Sequence, residues 1–191
     1  MRLLSLDTSF SFINLTLIEE GRVLVHHCKD EGKKTLEYLP KVFKEIDIDP
    51  YQVDAYAVSL GVGYLTSLRI GITFIKTIAY LTKKPVVSYE NLHMLCLFVK
   101  EPKEKVCALR VSNNVFYRVC REGVISPVML DKGDMPELPV VSLSGQGIGG
   151  LELEYFPFSL YGGLWAYEKL RAGYEGDKLM SLEPLYLKPA V

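Results

Sequence analysis

Net charge is almost absent from this chain of 191 residues: 22 Lys and Arg stand against 23 Asp and Glu, a formal −1 at pH 7. A protein whose whole task is to grip nucleic acid needs a net basic surface, so that class is excluded for the chain acting alone. Long apolar runs are missing as well. Asp7 interrupts the first one, and no stretch reaches the ~18 uninterrupted apolar residues that a membrane helix requires. No small-residue cleavage site follows the N-terminal run, so we expect no targeting signal, no membrane partner and a cytoplasmic location. Cysteine is scarce and scattered over Cys28, Cys96, Cys107 and Cys120, with no CxxC pair. That pattern predicts reduced, mostly buried thiols, not a disulfide framework or a zinc site. Of the three histidines, His26 and His27 are neighbours on a predicted strand, where their rings point to opposite faces. His93 stands alone. Without HxxxH or HExxH, neither a metal site nor a cofactor is expected.

What is present is a core-forming composition, 49% hydrophobic against 24% charged, which excludes a disordered chain. Leu3–Leu6, Phe12–Ile18 and Arg22–His27 have the pattern of three strands, the last two joined by a turn at Glu19-Glu20-Gly21. Helices follow over Lys33–Ile46 and Leu65–Leu81, with a strand at Ala55–Leu60 between them. A strand at Pro85–Ser88 then leads into a helix near Asn91–Val99. Pro40 should bend the first helix or mark its start. This order predicts an α/β lobe of the ribonuclease-H type. Glu101–Lys105, charged and proline-bearing, is the best boundary, dividing residues 1–100 from a smaller, degenerate lobe of residues 101–191. Strands are expected at Val106–Val111, Val115–Arg121 and Val140–Leu143, and a helix at Leu164–Ala172. The second part echoes the first: Cys107–Ser112 repeats the pattern of Leu4–Ser9, and a Glu-Gly turn follows in each, with Arg110 where the first copy has Asp7.

Three segments are candidates for chemistry. Gly61–Gly71 runs from a strand through paired glycines into a helix, the arrangement that frees backbone N–H groups for an anion. The alternative is a tight turn capped by Thr66 or Ser67. No GxxxxGK[ST] lysine is present, which excludes a P-loop. Gly145–Gly150 satisfies GxGxxG, but the aromatic, proline-broken continuation to Pro157 makes it a flexible turn and not a dinucleotide fingerprint. Asp7, at the end of the first strand, either serves catalysis or caps its own turn.

The second helix is the most informative segment. At ~100° per residue, Leu65, Leu68, Ile72, Ile75 and Ala79 make one apolar face, and Ile70, Phe74, Ile78 and Leu81 make another. Only Thr66, Arg69, Thr73, Lys76 and Thr77 lie between them. A helix on one sheet needs one apolar face, so the second is expected to meet a partner. We expect Ile70, Phe74 and Ile78 at an exposed or protein-bound surface, together with Leu36, Leu39 and Phe43 of the preceding helix.

Leu6-Asp7-Thr8-Ser9, the Gly61–Gly71 segment, Pro85-Val86-Val87 before a helix, and Leu182–Lys188 together resemble the TsaB (YeaZ) family along nearly the whole chain. The central segment carries most of the resemblance. Gly61, Gly63, Thr66, Leu68, Arg69, Ile70 and Gly71 fit the family pattern GxGSFTGLRIG, whereas Val62, Tyr64, Leu65 and Ser67 depart from it. The resemblance implies an actin-like/Hsp70-like ATPase fold of two ribonuclease-H-like lobes. It implies a non-catalytic scaffold subunit that binds and activates a TsaD-like paralogue, with a TsaE-like ATPase. Together these threonylcarbamoylate the adenosine beside the anticodon in tRNAs reading ANN codons. tRNA is then reached only through the complex, and the isolated chain should form a homodimer. The paralogue's HxxxH metal motif is reduced here to Tyr89-Glu90-Asn91-Leu92-His93. The rival expectation is a small actin-fold kinase or acyltransferase using Asp7 and the Gly61–Gly63 turn.

Overall fold

The structure, a computed structural model, describes residues 1–30, 32 and 34–187; the expected first residue of the first helix, Lys33, and the last of the C-terminal motif, Lys188, lie outside that set. Strand β1 (Arg2–Asp7) is flanked by β2 (Phe12–Glu19), and β2 by β3 (Arg22–Asp30), both pairings antiparallel. Glu19 pairs with Arg22, so Glu20 and Gly21 alone make the β2–β3 turn, both at positive φ (49° and 76°). Such a two-residue turn matches the twist of the strands it joins. On its other edge β1 runs parallel to β4 (Ala55–Ser59), and β4 to β5 (Val86–Tyr89), giving the order β3-β2-β1-β4-β5.

Both faces of this sheet are covered, which is why β1 is buried continuously from Leu3 to Asp7 and does not alternate. One face carries α1 (Thr35–Ile46) and α2 (Leu65–Thr82) over Leu4, Leu6, Leu15, Tyr56 and Val58. The other buries Leu3, Ile18, Ala57 and Tyr89 against α3 (Asn91–Phe98) and α4 (Phe158–Arg171). Pro40 sits inside α1, at the first turn but one, and does not begin it.

A second sheet is built from β6 (Lys105–Val111), β7 (Asn114–Arg121), β8 (Val124–Ile125), β9 (Met129–Leu130), β10 (Val140–Leu143) and β11 (Leu151–Leu153), in the order β11-β10-β6-β7-β8, with β9 on β7. β6 repeats the placement of β1: antiparallel to the next strand and parallel to a later one. The Glu122-Gly123 turn again has both residues at positive φ (47° and 79°). The sequence echo is therefore an echo in space, and the fold is the actin-like, ribonuclease-H-like class.

The C-terminal segment departs from the expected division. Residues 105–153 form the second sheet, but α4 starts six residues before the expected Leu164 and lies on the first sheet. Gly162 permits this, since a Cβ there would stand 2.4 Å from the Tyr89 ring. Beyond α4, the Asp177 N–H donates to the Val86 carbonyl (2.7 Å) and its carboxylate accepts from the Ser88 N–H (2.6 Å). Leu182 is buried beside α2. The cysteines also differ from expectation. Cys96 of α3 and Cys120 of β7 form a disulfide, with Cα atoms 5.8 Å apart, and the Cys107 sulfur of β6 lies 3.7 Å from that of Cys120. Packing brings together residues whose spacing along the chain concealed them.

Candidate functional site

Asp7, Thr8 and Ser9 leave β1 directly beneath the N-terminus of α2. The Asp7 carboxylate is buried, and its partners are hydroxyls and amides. It accepts from the Ser9 N–H (3.1 Å) and the Ser9 hydroxyl, with Ser59 and Asn91 also bonding to it. Burial is the dominant influence and holds its carboxyl above the usual carboxylate range, with the hydrogen bonds offsetting only part. Asn91, at the start of α3, closes the network by donating to the Ser9 hydroxyl (2.7 Å) and the Val62 carbonyl (3.3 Å). Asp7 caps its own turn.

The start of α2 packs against this same turn. The Tyr64 N–H donates to the Ser9 carbonyl (2.7 Å), and the Thr8 hydroxyl donates to the Ser67 carbonyl (2.8 Å). A Cβ at Gly63 would lie 2.3 Å from the Ser9 carbonyl oxygen, and one at Gly71 2.2 Å from the Thr8 hydroxyl. These two glycines are therefore required by the close approach of the chain to itself. The expected cap is absent: Tyr64 precedes the helix without a side-chain cap, and the Ser67 hydroxyl instead accepts from Thr35 of α1 (3.2 Å).

A cleft of about 380 Å³ between the sheets is lined by Phe10, Phe12, Tyr64 and Tyr155 with Asp7 and Glu154. Among the described residues, its walls include two carboxylates and no Lys, Arg or His. The Gly145–Gly150 turn at its edge starts no helix; it leads into β11. Arg110 holds it, its Nε donating to the Gln146 carbonyl (2.6 Å) and its N–H to the Gln146 side chain (2.9 Å). Where β1 ends in a carboxylate, β6 ends in a guanidinium spent on fastening a loop. His93 packs edge-on near Trp165, with ring centroids 6.0 Å apart. His26 bonds to the Thr16 hydroxyl (2.8 Å) and to the Tyr155 hydroxyl.

The second region lies on the far side of α2. Leu36, Leu39, Ile70, Phe74 and Ile78 line one open groove of about 430 Å³ with Pro40, Arg69, Thr73 and Thr77. Leu36 is 72% exposed, and Ile70, Phe74 and Ile78 are half-buried. Leu39 and Phe43 differ from the expected exposure, at 1% and 8%. α1 leans onto the sheet and turns both inward, so that Leu39 forms the groove floor and Phe43 supports Phe74 edge-on, with centroids 4.6 Å apart. Leu65, placed by periodicity on the buried face, is 41% exposed in the first turn of α2. The apolar strip continues to Leu81 (61% exposed), a position the helical spacing marks, and to Met180 (78%). Met180 arrives from the C-terminal segment and carries no local signal.

Two Pseudomonas aeruginosa structures share this architecture. One, described as YeaZ, has a TM-score of 0.74 at 20% identity and covers 97% of this chain and 99% of its own. The other, described as similar to peptidase YeaZ, has a TM-score of 0.72 at 19% identity, covering 98% and 99%. In sequence, the Bacillus subtilis tRNA threonylcarbamoyladenosine biosynthesis protein TsaB is 25% identical over 99 residues, which is 50% of this chain and 43% of that protein. The chain is thus similar to TsaB over half its length in sequence, and to YeaZ in fold. The family model for the tRNA N6-adenosine threonylcarbamoyltransferase TsaD matches residues 31–112, from α1 to the end of β6. A transferase of that description from Caldicellulosiruptor saccharolyticus is 36% identical over 64 residues, 32% of this chain and 19% of its own. The chain thus aligns with less than half the length of these curated relatives. No described helix is long and apolar enough to cross a membrane.

Proposed function

We propose that this chain serves tRNA threonylcarbamoyladenosine biosynthesis as a non-catalytic docking subunit that binds and activates a TsaD-type transferase alongside a TsaE-type ATPase. The observation that carries this reading is the double character of α2. Its inner side is seated on the Thr8-Ser9 turn. Its outer stripe of Ile70, Phe74 and Ile78 is open beside Leu36. An apolar groove rimmed by Thr73, Thr77 and Arg69 suits a second pair of helices from the transferase. The likeness of residues 31–112 to the transferase family supports a paralogous pairing of the same two helices. In the absence of the transferase the isolated chain pairs with itself through this surface, and tRNA is met only through the complex.

The test is co-purification and sedimentation with a TsaD-type transferase. Leu36→Glu is the cleanest probe because the side chain is 72% exposed and the monomer does not depend on it. A carboxylate buried without a partner is strongly unfavourable, so binding and self-association should weaken together by at least tenfold. Unchanged binding in both assays would overturn the assignment of the groove. The kinase or acyltransferase reading has less support, since Asp7 is buried and held by its own turn.

A further inference from the structure

The thiols of Cys96, Cys107 and Cys120 are brought to one point by three different elements, α3, β6 and β7. Their sulfurs all lie within 4.8 Å of one another, and all three residues are buried. We propose that, once the Cys96–Cys120 bridge is reduced, these three sulfurs hold one divalent d10 cation of the zinc class.

Geometry and charge both favour this. Two thiolates on one such ion, with metal–sulfur bonds of about 2.3 Å, stand roughly 3.8–4.0 Å apart. The 3.7 Å between Cys107 and Cys120 is already close to that value, so only Cys96 has to swing free of its bridge. Thiolate donors select soft or borderline d10 ions over magnesium or calcium. Among the described residues no fourth His, Cys, Asp or Glu joins the group, so the protein supplies three ligands. Three thiolates around a divalent ion carry −1. The Lys105 side chain is buried, its residue pairs directly with Cys120 across the β6–β7 ladder, and its charge acts on the Cys107 thiol. The Lys105 ammonium, which donates to the Pro102 carbonyl (3.0 Å), would offset that −1, whereas a monovalent ion would leave a second negative charge uncompensated in an apolar core.

The bridged and metal-bound forms exclude one another, because the bridge uses two of the three sulfurs. A trialkylphosphine opens the bridge: phosphine, disulfide and water give two thiols and the phosphine oxide. Metal entry then releases three protons as three S–H bonds are replaced by three metal–sulfur bonds. Cys96 belongs to a helix of the first sheet, while Cys107 and Cys120 belong to the second. Bridge and ion therefore staple the same seam in oxidising and reducing conditions respectively.

The experiment titrates the full chain with Cd(II) under anaerobic conditions, before and after phosphine reduction, and reads the ultraviolet thiolate-to-metal charge-transfer absorbance. The reduced chain should bind one Cd(II) that Zn(II) displaces, and the bridged chain should show none. Cys107→Ser should weaken binding at least tenfold, and Cys28→Ser should leave it unchanged. Absence of the absorbance after reduction, equal absorbance in the bridged chain, or dependence on Cys28 would overturn the proposal. If Cys107→Ser does not fold, cadmium NMR of the reduced wild-type chain counts the coordinating sulfurs, and any number other than three rejects the site.

Discussion

Replacing Gly71 by alanine sets two effects of known size against each other. Inside α2 the substitution gains about 1 kcal/mol of helix propensity. Against that, the new Cβ would stand 2.2 Å from the Thr8 hydroxyl oxygen and 3.0 Å from its methyl carbon. Thr8 is only 2% exposed and has no room to retreat. Overpacking of this kind costs about 1–3 kcal/mol. Forcing the Thr8 hydroxyl away from the Ser67 carbonyl adds roughly 1–2 kcal/mol for a hydrogen bond lost in a buried site. The balance is a net destabilisation of about 1–4 kcal/mol. For a domain of this size, 1 kcal/mol corresponds to about 2–4 °C in Tm. Thermal and urea unfolding should therefore place Gly71→Ala several degrees below wild type. The decisive comparison is with Thr8→Ala, which removes the atoms that the new Cβ would meet. In the double variant part of the loss should return, with a coupling energy of at least ~1 kcal/mol. A Gly71→Ala protein as stable as wild type, or losses that simply add, would refute the claim that the Thr8-Ser9 turn is wedged against α2.

Other outcomes are equally checkable. Because burial raises the Asp7 carboxyl in the folded state, the folded protein holds that proton to higher pH than the unfolded chain. This contribution to stability is complete below the usual value of 3.8 and is lost as pH rises through the folded-state pKa. Asp7→Asn should flatten that decline in urea unfolding measured across the acidic range; an unchanged slope would exclude Asp7 as its source. In the reconstituted complex, Asp7→Asn should leave tRNA modification within a few-fold of wild type, whereas removal of a general base costs roughly 10²–10⁴-fold. Gly162→Ala drives a methyl into the Tyr89 ring. It should lower stability by about 2–3 kcal/mol, with the loss appearing as early exposure of the first sheet in hydrogen exchange.

The first sheet was legible because local signals agree there: a two-residue turn between strands, apolar runs, and 3–4 spacing in α1 and α2. The open stripe of α2 was legible for the same reason. What periodicity cannot decide is which neighbour covers a stripe. Leu39 and Phe43 share a helical face with Leu36, but α1 tilts so that the sheet and Phe74 claim two of the three. The early start of α4 depends on Gly162 and Gly163, weak helix formers that are its contact points with Tyr89 and Ser5. Thr8 and Ser67 carry no pattern that links them across 59 residues. The cysteine cluster was invisible for a similar reason, with Cys96 and Cys120 separated by 24 residues.

The buried and the open sides of α2 belong to one helix, and that makes their roles separable by experiment. Residue 71 faces the Thr8 turn, while residue 70 faces the groove. A displacement of α2 large enough to relieve the Gly71→Ala clash must also move Ile70 and Phe74 relative to Leu36, because a helix shifts as a rigid body over one or two turns. Gly71→Ala should therefore weaken binding of a TsaD-type partner as well as stability, although position 71 is buried and touches no partner. Thr8→Ala should restore both together. Leu36→Glu should lose binding without loss of stability. Restoration of stability by Thr8→Ala with binding still impaired would mean that the groove does not depend on the seating of α2, and the link between the Thr8-Ser9 turn and the proposed docking face would have to be abandoned.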